Sequence, residues 1–85
     1  MTPDSFNHSK YPYLHPQFPL APIDRLIRKA NAKRISLDAI EELRNIIEEL
    51  AFDIAKKAVV LSEHAGRKTL SREDIKLAYK NWKQE

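Results

Sequence analysis

Residues 37–64, LDAIEELRNIIEELAFDIAKKAVVLSEH, decide the fold of this chain. No glycine or proline falls between Leu37 and Gly66. A single helix of about 28 residues, ~42 Å at 1.5 Å per residue, is therefore expected. Ile40, Leu43, Ile47, Leu50, Ile54, Ala58 and Leu61 recur at three- and four-residue steps and make one continuous apolar stripe. Ile46, Phe52, Val59 and Val60 widen it beyond a single seam, so more than one face of the helix needs covering.

Signals on either side frame that helix. Ser36 stands just before it, where a hydroxyl can accept from free first-turn amides, and Asp38 complements the positive end of the helix dipole. Upstream, Pro22 suits the first turn of a helix, and Ile23, Leu26, Ile27 and Ala30 follow at helical spacing. A short first helix over roughly 22–31 results, ended by Asn31, which tolerates the left-handed conformation of a C-cap. Downstream, Gly66 serves as the second C-cap and RKTL as a connector. Ser71 and Asp74, at capping-box spacing, then open a third helix carrying Ile75, Leu77, Ala78 and Trp82 and ending near Lys83.

Residues 1–18, MTPDSFNHSKYPYLHPQF, differ in kind. They are rich in proline, aromatics and small polar residues, show neither helical nor strand period, and read as a flexible arm ahead of a folded domain at 19–85. Lys10 and Asp4 are their only charges, so the net +3 (15 Lys+Arg against 12 Asp+Glu) belongs to residues 19–85.

Composition excludes several classes. At 85 residues the chain makes one domain, and a small one, so a partner is expected from the outset. With no cysteine there is neither a disulfide framework nor a cysteine zinc site, and His8, His15 and His64 lack metal-ligand spacing. Tyr11–Ile23 is the longest uncharged run, but Pro12, Pro16 and Pro19 interrupt it, so neither a membrane span nor a signal peptide is expected. A single glycine leaves no phosphate-cradling loop. No nucleophile stands with a base, and Glu63 and His64 occupy adjacent helical positions that do not face each other. No enzyme, cofactor, metal or small-molecule substrate is implied.

The arrangement poses a geometric problem. A ~40 Å helix flanked by two short ones cannot wrap its own middle, and leaving the stripe wet forfeits burial worth about 1.5–3 kcal/mol per large side chain. An antiparallel copy of the same helix solves it, with four short helices folded over the crossing. Folding and dimerisation then become one process.

With the elements placed, PLAPIDRLIRKANAKRIS, DIAKKAVVLSEHAGRKTL and SREDIKLAYKNW resemble the archaeal histones across nearly all of residues 19–85. The fold this resemblance implies is the all-α histone fold, an obligate handshake dimer of three-helix chains. The function it implies is binding and compaction of duplex DNA with little sequence preference, on the chromosome in the cytoplasm. The implied partners are double-stranded DNA and a second copy of the chain, with tetramers and higher assemblies on DNA, or a histone paralogue. Residues 1–18 lie outside the resemblance.

Charge layout points the same way. Arg25, Arg28, Lys29, Lys33 and Arg34 fall in ten residues without an acid, and Arg67, Lys68 and Arg72 gather near the second loop. Asp38, Glu41, Glu42, Glu48 and Glu49 lie elsewhere. In a head-to-tail dimer the first loop of one chain meets the second loop of the other, combining Lys33–Arg34 with Arg67–Lys68–Thr69, and helix N-termini add amides that favour phosphate.

By resemblance, Arg34 is the loop arginine inserted into the minor groove, Thr69 its partner, and Arg25 and Lys68 are phosphate contacts, with Arg28, Lys29 and Ser36 as additions. Arg67 either joins them or pairs with Asp74 inside the chain. His64, with Leu61 beside it, is implied to reach Asp74 of the next dimer. Asn31 stands where many archaeal histones carry glycine, which bears on how closely dimers stack. The alternative reading is a histone-fold member of a transcription or chromatin heterodimer, with the arm as a docking peptide.

Overall fold

The computed structural model describes residues 15–84, and among these residues there are three α-helices in short, long, short order: α1 (Leu20–Lys29), α2 (Leu37–His64) and α3 (Arg72–Lys83). The chain divides into two compact units, residues 1–49 and 50–85, with the division inside α2.

In the first unit, α1 begins two residues earlier than Pro22 suggests. Pro19 takes the extended N-cap conformation (φ −68°, ψ 160°), and Pro22 falls in the first turn, where its missing N–H costs nothing. The helix also stops short of 31. Asn31 turns left-handed (φ 74°), and its N–H donates to the Arg28 carbonyl (2.9 Å) while that of Ala32 donates to the Ile27 carbonyl (3.4 Å). This paired closure satisfies carbonyls the helix end would otherwise leave bare. Ser36 opens α2 as its spacing indicated, its Oγ accepting from the Ala39 amide at 3.1 Å. Among the described residues of this unit, Ile23 is the buried apolar side chain.

Only the end of the expected arm lies among the described residues. There the amides of Gln17 and Phe18 both donate to Glu48 Oε2, at 2.7 and 2.5 Å. Glu48 is buried, so its carboxylate needs these donors, and they tie the approach to α1 onto the long helix. In the sequence it is one of the acids that lie apart from the basic loops.

The second unit repeats the closing device. Gly66 (φ 71°) ends α2, its N–H donating to the Glu63 carbonyl (2.9 Å) and that of Arg67 to the Ser62 carbonyl (3.0 Å). Space around Gly66 is open, so an added Cβ would meet strain but no clash. Gly66→Ala is expected to cost about 1 kcal/mol, read as a lowered thermal midpoint with an unchanged helical spectrum. α3 begins with the full capping box, in which Ser71 and Asp74 exchange side-chain and backbone bonds. Ala58 and Ala78 are fully buried, and Tyr79 stacks on Trp82 at 6.0 Å between centroids.

The buried apolar set is small. Leu26, Leu37, Ile46, Val59, Val60, Leu70, Leu77 and Tyr79 stay substantially exposed in the single chain.

Candidate nucleic-acid interface

The basic residues singled out in the sequence as DNA contacts fall into two groups, one in each unit. On α1 and the first loop, Arg25, Lys29, Lys33 and Arg34 are exposed and have no ion-pair or hydrogen-bond partner among the described residues. Arg28 differs, because its Nε donates to Asp24 Oδ1 at 3.1 Å, one turn earlier. Such an exposed i,i+4 pair is worth only about 0.3–0.5 kcal/mol, so Arg28 is lightly held. Arg28 and Lys29 also lie in the last turn of α1, where cations complement the helix dipole. Arg34 sits on the rim of a shallow cleft lined by Ile27, Ala32, Ile35, Ser36 and Ala39. The left-handed turn at Asn31 is what sends the chain from α1 into this loop.

The second group is built around one ion pair. Arg67 Nη1 donates to Asp74 Oδ2 at 2.7 Å and Nη2 to Oδ1 at 2.6 Å, a bidentate fork. Oδ2 also accepts from the Ser71 amide (2.9 Å) and Ser71 Oγ (3.0 Å). The Arg67 fork foremost, then the Ser71 amide, hold the Asp74 carboxyl well below the usual carboxylate range. Asp74 in turn raises the Arg67 guanidinium above its ordinary value. Ser62, buried on α2, donates its hydroxyl to the carbonyls of Arg67 (3.1 Å) and Thr69 (3.3 Å). Sequence reading missed Ser62, since a helical serine carries no mark of the loop carbonyls it will meet. Together these bonds fix the loop's backbone while Lys68 and the Thr69 side chain stay exposed.

Of the two roles open to Arg67, the structure shows the pairing with Asp74, although 44% of the arginine side chain remains accessible. Leu61 is half-buried and His64 exposed at the end of α2. Among the described residues no group of His, Asp or Glu could hold a metal ion, and no helix is long and apolar enough to cross a membrane.

Three helices in short, long, short order, with no strand among the described residues, make this an all-α protein of the histone-fold class. Residues 16–79 match the family described as "Histone-like transcription factor (CBF/NF-Y) and archaeal histone", and the chain belongs to that family. It is 53% identical over 64 residues to one chain of the archaeal histone HAN1 of Thermococcus zilligii, covering 75% of this chain and 96% of that protein. It is 44% identical over 62 residues to "Probable archaeal histone 3" of Methanocaldococcus jannaschii, covering 73% and 92%. With "Histone H4" of Dictyostelium discoideum the identity is 38% over 58 residues, 68% of this chain and 54% of that one.

Proposed function

We propose that this protein binds and compacts duplex DNA with little sequence specificity, as a histone homodimer that assembles into larger nucleosome-like particles on the chromosome. The observation that carries this reading is the set of exposed cations Arg25, Lys29, Lys33 and Arg34, held on one short helix and its loop with no ion-pair or hydrogen-bond partner among the described residues. Such a cluster destabilises an isolated domain and suits a phosphate backbone. Exposed apolar side chains on α2 and α3 support the dimer, because a second copy covers them.

In the proposed dimer the first loop of one chain lies beside the second loop of its partner. Arg34 enters the minor groove, where negative potential is concentrated and base identity is poorly displayed, and Thr69 supports it. Arg25, Arg28, Lys29 and Lys68 contact phosphates, and the N-terminus of α2 at Ser36 offers amides. Arg67 acts through the loop it holds. Dimers then join through Leu61 and His64, with Asp74 of the neighbour as the acid. Because both Asp74 oxygens already accept bonds within the chain, His64 adds to an existing clamp.

Arg34→Ala tests this. Affinity for duplex DNA is expected to fall about tenfold, by a similar factor on unrelated sequences, with a shallower dependence on salt. Loss on one sequence and not on others, measured by fluorescence anisotropy, would point to specific recognition instead.

A further inference from the structure

The outer face of α3 carries charge that neither the fold nor the loops use. α3 turns Asp74, Ala78 and Trp82, four residues apart, toward the interior. At about 3.6 residues per turn, Arg72, Lys76, Lys80 and Lys83 project from the opposite side, and all four are exposed. Arg72, Lys76 and Lys80 have no ion-pair or hydrogen-bond partner among the described residues, and Lys83 lies over the Tyr79 ring at 5.4 Å. Glu73 is the acid at their flank, and its field acts on Arg67.

Helix stability does not account for this stripe. Lys80 and Lys83 suit the last turn, but Arg72 occupies the first turn, where a cation opposes the dipole. Arg72–Lys76 and Lys76–Lys80 are like-charged pairs four apart, which weaken a helix. A polyanion removes both penalties. Each four-residue step rises ~6 Å along the axis, close to two phosphate steps of one DNA strand at ~3.4 Å each. From Arg72 the stripe runs ~16 Å along the helix, away from the second loop. The acids of α2 offer no matching line, because Arg44 sits among them and Glu48 is engaged by the amides of Gln17 and Phe18.

We propose that Arg72, Lys76, Lys80 and Lys83 form a second phosphate-binding surface, which grips a DNA duplex other than the one held at the loops, so that the protein joins two duplexes. This rests on the DNA-binding reading above. The test uses the full chain and the double variant Lys76→Gln/Lys80→Gln, whose helix propensity is nearly unchanged and whose helicity is checked by circular dichroism. Binding to one short duplex is followed by anisotropy. Bridging is followed as capture of a labelled duplex by protein loaded on a bead-bound duplex. Single-duplex affinity is expected to change by no more than about twofold, and capture to fall about tenfold or more.

Unchanged capture overturns the proposal, as does a wild-type protein that binds one duplex yet captures no second. Equal losses in both assays make the stripe part of one continuous site and overturn it too. Self-association without DNA that the double variant abolishes assigns the face to a second copy instead. A wild-type protein that binds no duplex at all defeats the DNA-binding reading, and the stripe with it.

Discussion

Ile46→Glu is expected to abolish cooperative unfolding at protein concentrations where the wild-type chain melts in a single transition. In the single chain Ile46 is 51% exposed, and a substitution at so open a site ordinarily changes stability by no more than about 0.5 kcal/mol. Glutamate is also a better helix former than isoleucine, so α2 itself gains. In the proposed dimer the same position lies between two long helices, where an unpartnered carboxylate costs about 3–5 kcal/mol, twice per dimer. That exceeds much of a small domain's whole stability. The wild-type midpoint should accordingly rise with protein concentration, as mass action requires of a fold that exists only as a pair. Thermal melts at two concentrations, with sedimentation of both proteins, decide the matter. A concentration-independent wild-type midpoint together with a wild-type-like Ile46→Glu melt would show that the chain folds alone. A wild-type chain that shows no cooperative melt by itself favours the heterodimer reading, in which a different histone-fold chain supplies the second long helix.

Punctuation made α2 legible. Ser36 before it and Gly66 after it are residue types with one physical job each, a hydroxyl for bare amides and a backbone free to turn left-handed, and both sit where the structure ends the helix. The start of α1 was less legible. Proline at any first-turn position leaves the helix intact, so Pro22 marks a neighbourhood, and Pro19 supplies the N-cap. The cations of the first loop could be named from sequence, since free surface charge needs no partner to be recognised. Glu48 could not, because the groups it meets are backbone amides about thirty residues away and carry no side-chain signature. Arg67 stands between these cases. Its residue type fits either a phosphate or a carboxylate, and only the geometry of Asp74 shows which one it holds.

Asp74→Asn is expected to lower the thermal midpoint by several degrees at pH 7 and to flatten its fall in acid. The wild-type carboxylate accepts the Arg67 fork, the Ser71 amide and the Ser71 hydroxyl, and these donors keep it ionised far into acid. In the unfolded chain the same group titrates near its ordinary value of 3.8. Below that value the unfolded state takes up a proton that the folded state resists, so stability drawn from Asp74 is whole above about pH 4 and drains as pH falls further. Asparagine keeps the size and the acceptor oxygen but turns an N–H₂ group toward donors and carries no charge to titrate. Wild-type and variant midpoints should therefore be well separated at pH 7 and converge toward pH 2, measured by thermal melts at fixed ionic strength. Ser71 still caps α3 through the residue 74 amide in the variant, so helix content holds while the second loop loosens. The loop carrying Lys68 and Thr69 then keeps the Ser62 bonds but loses the Arg67 anchor, and affinity for DNA should fall alongside stability. Parallel acid profiles for the two proteins, with loss confined to assembly on DNA, would move Asp74 from the clamp within one chain to the contact between dimers.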